Sequence, residues 1–154
     1  MIKPFRLAYA RFKSENIEAM EKYYTDVMGL TLVETGEDGT RYLSTGLDHH
    51  NIVLTPSETS ELVGMGFQLG LKYSLNEVKK ELEEQGVAVE LKTDALPGMP
   101  QVLELTDPDG FIIHLFTEIA QPAPHFTEKG IVPNKLGHIA LGSMNPTASV
   151  AFYN

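Results

Sequence analysis

The stretch LGHIALGSMNPTASVAFYN, residues 136–154, decides the fold prediction. Apolar residues alternate with other residues over 136–141, which predicts a strand that begins at Leu136. Asn145 is a favoured helix cap, and Pro146 suits the first helical position because its missing N–H would have no partner there. Apolar residues then continue to Tyr153, so the stretch predicts a strand, a turn and the start of a helix.

The same pattern occurs at two earlier places in the chain. Leu136 and Asn145 have counterparts 129 positions earlier, at Leu7 and Asn16. Asn16 in turn has a counterpart 58 positions later, at Ser74. One strand–helix unit therefore begins three times, at intervals of 58 and 71 residues, and such self-similarity indicates a repeat architecture.

Each of the first two copies predicts the element order β-α-β-β-β. In the first helix, Ile17, Met20, Tyr24 and Val27 recur at helical spacing and predict one buried stripe, and Gly29 is placed to end the helix. The strands predicted for the first copy are 5–12, 31–35, 41–44 and 51–54. Those predicted for the second copy are 65–73, 87–91, 102–105 and 111–116, with a loop over 93–100.

The chain divides into three parts on this pattern. Residues 1–118 form one domain of two units, at about 5–55 and 63–118. Residues 119–135 contain three prolines without apolar periodicity and predict a stiff linker. Residues 136–154 are expected to be the truncated start of a second domain. Its strand, 136–141, lacks sister strands, so we expect it to pack on a neighbouring copy or on a sheet edge.

Composition excludes several classes of function. The net charge is −9 and no basic run is present, which argues against nucleic acid as a partner. The chain has no cysteine, so disulfides, thiolate metal sites and cysteine nucleophiles are excluded. No apolar run approaches the roughly 18 residues of a membrane span, so we expect a cytoplasmic protein that does not enter a membrane.

Two short motifs carry a resemblance to a known family. The stretches YYTDVMGL (residues 23–30) and DPDGFIIHL (residues 107–115), on two βαβββ units, resemble the vicinal oxygen chelate superfamily. That superfamily includes glyoxalase I, bleomycin-resistance proteins and type I extradiol dioxygenases, and the unit count and linker are most similar to the dioxygenases. The resemblance implies an α+β fold in which two tandem βαβββ units form a cupped mixed sheet, followed by the first strand and partial helix of a third unit.

The resemblance also implies a metal centre in the intact protein. Two histidines and one glutamate of the second domain would hold Fe(II) or Mn(II), leaving open positions for a catechol-type diol and O₂. His138 matches the first of these ligands. The second histidine and the glutamate would lie beyond Asn154. The resemblance further implies a homo-oligomer.

The first domain is expected to be a degenerate copy. Its equivalent positions are Tyr9 and Phe67 on the first strands, and His114 on the last strand, where the family has glutamate. Tyrosine and phenylalanine do not replace two imidazoles, so no metal is expected to bind tightly to residues 1–118. His114 is expected to be a satisfied core or cup-facing residue, and His49-His50 a surface loop.

Two other functions remain open from the sequence. One is a glyoxalase-like, metal-dependent isomerase or lyase on the same scaffold. The other is a non-enzymatic binding protein of the bleomycin-resistance type, which would hold an aromatic ligand in an apolar cup lined by Tyr9 and Phe67. Oxygen consumption would separate the dioxygenase from the first alternative, and ligand binding unaffected by a chelator would indicate the second.

Overall fold

A computed structural model describes residues 2–121 and 129–154 of the chain. The described part contains eight strands and three α-helices, one of which continues as a π-helix. The first unit comprises β1 (Pro4–Ser14), α1 (Ile17–Lys22), the π-helix (Tyr23–Val27), β2 (Thr31–Thr35), β3 (Arg41–Ser44) and β4 (Ile52–Pro56). The second comprises β5 (Glu61–Leu69), α2 (Leu75–Glu84), β6 (Val89–Leu96), β7 (Met99–Thr106) and β8 (Ile112–Phe116), and α3 (Pro146–Tyr153) follows.

All eight strands form one mixed sheet in the order β2-β3-β4-β1-β5-β8-β7-β6. Within each unit the first and last strands are parallel neighbours, β1 with β4 and β5 with β8. The two units meet where β1 pairs with β5 in antiparallel fashion. The predicted α+β class and the two tandem βαβββ units are therefore confirmed.

The two faces of the sheet bury different sets of residues. The face that carries the helices has two apolar clusters, one packed against Ile17 and Met20 of α1 and one containing Leu75 and Val78 of α2. We call the opposite face the cup face. Its cluster contains no helical residue. Its buried members are Ala8, Tyr9, Tyr42, Val53, Leu96, Met99, Val102 and Phe116.

The first helix differs from the prediction in its last turn. Asn16 caps α1 as expected, since its side chain accepts a hydrogen bond from the Ala19 amide at 3.0 Å. The π-helix that follows has a wider turn, which rotates the residues after it relative to the α-helical pattern. As a result Val27 is 48% exposed, and Met28 instead packs against the core.

The predicted loop over 93–100 is wrong. Residues 93–96 extend β6, and β7 begins at Met99, so the two strands form a hairpin that turns at Pro97 and Gly98. Gly98 adopts a φ of +73°, a conformation that glycine tolerates without steric cost. The prolines that suggested a loop lie at the turn and just inside β7, where the hairpin accommodates them.

The predicted strand over 136–141 is also wrong, because these residues pair with no strand in the described structure. The segment instead lies over the helix-bearing face of the sheet, where Ile139 contacts both apolar clusters. The segment therefore does not pack on a sheet edge of this chain, which was one of the two predicted partners. The helix after it forms as expected, capped by Asn145. Of the predicted linker 119–135, residues 122–128 lie outside the described part.

Carboxylates of the β7–β8 turn hold α3 in place. Asp109 accepts hydrogen bonds from the Met144 amide at 2.9 Å and from the Ser149 hydroxyl at 2.7 Å. Asp107 accepts one from the Tyr153 hydroxyl at 2.8 Å. The turn that carries the DPDG motif thus binds the last helix to the second unit. Among the described helices, none is long and apolar enough to cross a bilayer.

Candidate functional site in the cup

A row of residues on neighbouring strands crosses the cup face. Tyr9 of β1 lies opposite Gly66 of β5, which lies beside His114 of β8, and His114 lies opposite Glu104 of β7. Side chains at directly opposed positions are about 5 Å apart at their Cβ atoms, which is close enough for them to interact. This row is where the resemblance placed the degenerate metal positions.

Phe67 is not part of the row, which corrects the sequence prediction. Phe67 lies opposite Leu7, and both pack in the cluster that contains α2 residues. The reason is a bulge in β1 between Leu7 and Tyr9, which adds one residue and moves Tyr9 to the other face. The β5 residue on the cup face is therefore Gly66, one position earlier.

Gly66 has a steric role beside Tyr9. A Cβ at position 66 would lie 2.2 Å from the Tyr9 ring, so any larger residue there would displace the ring. The ring occupies the space that a β5 side chain would otherwise fill. The middle position of the row therefore holds an aromatic ring and no ligand atom.

Tyr9, His114 and Glu104 form a directed hydrogen-bond chain. His114 Nε2 lies 2.9 Å from a Glu104 carboxylate oxygen, which only accepts, so Nε2 carries the proton. The neutral ring then accepts at Nδ1 from the Tyr9 hydroxyl, at 2.6 Å. Lys92 donates to the other Glu104 oxygen at 2.6 Å. Arg11 Nη1, which can only donate, lies 3.3 Å from His114 Nε2. Because Nε2 already carries a proton, Arg11 adds positive charge beside the ring.

Burial controls the protonation of this chain. Tyr9 is fully buried and His114 is 2% exposed. Burial raises the pKa of Tyr9 far above its usual value and lowers the pKa of His114 to about 4, despite the hydrogen bond to Glu104. Burial also opposes ionisation of Glu104, but hydrogen bonds from Lys92 and His114 hold its pKa below the usual value. At neutral pH the phenol and imidazole are uncharged and the carboxylate is charged.

His50 is a buried residue that the sequence prediction placed in a surface loop. It is 0% exposed, and it packs edge-on against Tyr9 with 4.9 Å between ring centroids. His49 lies 3.2 Å from a Glu34 oxygen through Nε2, and its Nδ1 lies 3.2 Å from His50 Nδ1. Within the described ranges, His50 Nε2 meets no hydrogen-bond partner. Burial lowers the pKa of His50 to about 3.

The loop folds inward because Asp48 is anchored beneath it. Asp48 is 4% exposed and receives two hydrogen bonds of 2.6 Å from the Arg6 guanidinium. Asn51 donates to the same carboxylate at 3.0 Å and to the Ala8 carbonyl at 2.9 Å. The run Asp-His-His-Asn before a strand was the sequence signal for a buried loop. An ion pair between Asp48 and Arg6 of β1 allows the carboxylate, and with it the loop, to be buried.

Apolar side chains fill the cup over the polar row. Leu96 and Met99 project from the two ends of the β6–β7 turn into the cluster that contains Tyr9. Phe116 stacks on Tyr9 with ring centroids 5.7 Å apart. Tyr9, His50 and His114 consequently lie out of contact with solvent. Tyr9, His50 and His114 are therefore not accessible to a substrate from the cup, whereas Glu104 is 25% exposed.

The residues of the row do not fit a metal ion of the kind that the resemblance implies for the second domain. Both nitrogens of His114 are engaged, one by the Tyr9 hydroxyl and one by Glu104, so neither offers a free lone pair. Gly66 has no ligand atom. Across residues 2–121 and 129–154, no group of three His, Cys, Asp or Glu side chains is arranged to hold a metal ion.

His138 lies apart from the cup. It is exposed, on the segment that covers the helix-bearing face. Its side chain lines a cavity of about 390 Å³, together with Tyr24 of the π-helix and Met28. Apolar residues such as Phe12, Leu30 and Ile139 form most of the remaining wall. The structure therefore does not bring His138 together with Tyr9 or His114.

Comparison with known families decides the relationship. Residues 6–115 match the model of the Glyoxalase/Bleomycin resistance protein/Dioxygenase superfamily. The chain belongs to this superfamily. The matched range begins in β1 and ends in β8, so it covers both βαβββ units of the superfamily member described here.

The similar proteins include two dioxygenases and one glyoxalase. The chain is 29% identical to the 1,2-dihydroxynaphthalene dioxygenase of Sphingobium xenophagum, over 96% of the chain and 53% of that protein. It superposes on a crystal structure of catechol 2,3-dioxygenase with a TM-score of 0.81 at 27% identity, covering 99% of the chain and 55% of that structure. A Mn(II)-bound glyoxalase from Novosphingobium aromaticivorans gives a TM-score of 0.84 at 22% identity, covering 99% and 52%, a likeness of fold. The chain spans about half the length of these proteins.

Proposed function

We propose that this chain forms the first domain of an extradiol dioxygenase, which opens the ring of a catechol-type aromatic diol with O₂. The observation that carries the proposal is the 29% identity to a 1,2-dihydroxynaphthalene dioxygenase over 96% of the chain. That relative is nearly twice as long as the matched region, so a second domain would carry the remaining functional groups. The metal would be Fe(II) or Mn(II), and the protein would be a cytoplasmic homo-oligomer.

The first domain would contribute a rigid scaffold to this activity. Its cup is closed by Leu96 and Met99, and the hydrogen bonds of Tyr9, His114 and Glu104 are internally satisfied. These three side chains resist rearrangement, since each hydrogen bond lost among them would leave a buried polar group without a partner. No chemical step is assigned to these residues.

His138 is the residue of this chain that we propose as a metal ligand. It is exposed, and in the described part of the chain its ring takes part in no hydrogen bond or ion pair. An imidazole with free nitrogens is suited to coordinate a divalent metal once other ligands approach. The other ligands would come from the proposed second domain, and among residues 2–121 and 129–154 no group of three His, Cys, Asp or Glu side chains is arranged to hold a metal ion.

A glyoxalase-like isomerase or lyase is the second candidate. The likeness to a Mn(II)-bound glyoxalase, at a TM-score of 0.84, favours keeping it, although at 22% identity it concerns the fold. The third possibility, an aromatic ligand held between Tyr9 and Phe67, lacks support because these side chains lie on opposite faces of the sheet.

The test measures metal content and O₂ uptake on a panel of catechols, for this chain and for the product of the complete gene. We expect about one Fe or Mn per chain and O₂ uptake in the long form. His138→Gln in the long form should lower both. Lys135→Gln is the matched control, because it changes an exposed residue that lines the same cavity. Metal binding without O₂ uptake, accompanied by isomerase activity, would replace the dioxygenase with the glyoxalase-like enzyme.

A further inference from the structure

The end of the π-helix is bound by a distant part of the chain. A helix leaves its last carbonyls without partners inside the helix. Here the Val27 carbonyl accepts a hydrogen bond from the Ile131 amide at 3.0 Å, and the Met28 carbonyl accepts one from the Val132 amide at 2.9 Å. Residues more than 100 positions away therefore satisfy two carbonyls at this helix end.

Two glycines make this approach possible. A Cβ at Gly29 would lie 2.0 Å from the Lys129 carbonyl oxygen, and a Cβ at Gly130 would lie 2.2 Å from the Val27 carbonyl oxygen. Both contacts are with backbone, which cannot rotate away as a flexible side chain can. Gly29 and Gly130 also adopt φ values of +78° and +72°. At Gly29 and Gly130 the two backbones lie so close together that neither position has room for a side chain. We call this contact between Gly29 and Gly130 the interlock.

The backbone beyond the interlock is held in an unfavourable conformation. Val132 has a φ of +52°, and a β-branched residue in this region is a genuine outlier. Such conformations persist where the surroundings determine them. The hydrogen bond from the Val132 amide to the Met28 carbonyl fixes this residue directly. The chain then turns onto the helix-bearing face, where Pro133, Leu136 and His138 line one wall of the cavity beside Tyr24.

We infer that Gly29 and Gly130 form a positioning latch, which sets the path of residues 133–139 and hence the location of the His138 side chain. The latch would give the first domain a direct part in building the site, because it fixes the segment that carries the proposed ligand. This last consequence rests on the proposed function, whereas the placement of the segment does not. Gly29 and Gly130 are positioning residues and touch no reacting group.

The test compares glycines that share a backbone conformation and differ in surroundings. Gly86 has a φ of +80° and nothing within 4 Å of an added Cβ, so Gly86→Ala carries the conformational cost alone. Gly130→Ala carries the same cost and also drives a methyl group into the Val27 carbonyl. A difference in the position of residues 133–139 between these two variants is therefore due to the close contact at the interlock.

Spin labels measure the placement of the segment directly. The chain has no cysteine, so labels at Glu58→Cys and Ala140→Cys, both exposed positions, are the sole labelling sites. We expect one narrow distance distribution in the parent and in Gly86→Ala. We expect a shifted or broadened distribution in Gly130→Ala, with the circular-dichroism spectrum retained. An unchanged distribution in Gly130→Ala would overturn the latch.

Amide exchange in the unmodified chain keeps the inference testable if Gly130→Ala fails to fold. The Ile131 and Val132 amides should exchange at least tenfold more slowly than the Gly142 amide, for which the described structure shows no hydrogen bond. Equal exchange would refute the latch.

The consequence for activity is measured in the product of the complete gene, as metal bound per chain and as kcat for Gly130→Ala relative to Gly86→Ala. A selective loss in Gly130→Ala, measured at a temperature where both variants are folded, supports the positioning role, and equal values refute it. If the parent long form shows no O₂ uptake, the proposed function fails, and the label distances still decide the latch.

Discussion

Acid should destabilise this protein between pH 7 and pH 5 through its two buried histidines. The pKa of His114 is lowered to about 4 and that of His50 to about 3, whereas an unfolded chain restores values near 6.5. Between these pKa values both imidazoles are protonated in the unfolded chain and neutral in the folded chain. Stability contributed by the neutral imidazoles is therefore complete above pH 6.5 and is lost as the pH falls toward 4.

The size of the effect follows from the shifts. Between pH 7 and pH 5 the unfolded state gains most of one proton at each site, which corresponds to about 2 kcal/mol for each histidine. Both groups are 2% exposed or less, so solvent screening removes little of this. The pKa of Glu104 is lowered, so its stabilising charge survives across this window and is lost only in stronger acid. The interval from pH 7 to pH 5 therefore isolates the imidazoles.

Urea unfolding followed by circular dichroism at pH 7, 6 and 5 measures the change. His114→Gln should remove about 2 kcal/mol from the difference between pH 7 and pH 5, whatever its effect at pH 7. Lys135→Gln, at an exposed residue on the segment over the helix-bearing face, is the control and should leave the difference unchanged. If His114→Gln and the parent lose equal stability over this range, His114 is not held neutral by its surroundings, and the directed chain of hydrogen bonds is wrong.

Three further changes test the packing around the cup. Tyr9→Phe leaves the Nδ1 of His114 buried without its 2.6 Å hydrogen bond and should cost about 1–3 kcal/mol in urea unfolding; a cost near zero would show that water replaces the lost hydrogen bond at Nδ1. Gly66→Ala forces a methyl group into the Tyr9 ring and should lower Tm by several degrees, whereas Gly70→Ala, with nothing within 4 Å, should have little effect. Asp48→Asn removes the charge of a carboxylate that is 4% exposed and should cost about 3 kcal/mol, because the Arg6 guanidinium loses its partner. No measurable cost would show that solvent already screens the Arg6–Asp48 pair.

The repeat in the sequence predicted the architecture because helix caps and strand alternation are local. Asn16 and Asn145 cap helices as the pattern indicated, and β2 and β3 have the predicted bounds. Glu104 was missed, although a single acid within the apolar run Val102–Leu105 was a signal that something nearby would neutralise it.

The errors arise where one extra residue in a strand or helix turn moves the side chains that follow it to a different face of that element. The bulge after Leu7 moved Tyr9 away from the face of Phe67, and periodicity alone does not reveal a bulge. The π-helix exchanged Val27 for Met28 in the core by the same kind of shift. The strand predicted over 136–141 failed for another reason, since strand alternation is satisfied equally by an extended segment that packs on an apolar face without pairing.

The covering of both units by one segment constrains the order of events in folding. Residues 129–132 bind the first unit at the π-helix, Ile139 contacts the clusters of both units, and α3 bonds to the β7–β8 turn of the second. These attachment points lie on opposite sides of the β1–β5 pairing, so they reach their native spacing after those two strands have joined. We therefore expect the segment to dock last in refolding and to detach first in unfolding, as a step separate from collapse of the sheet.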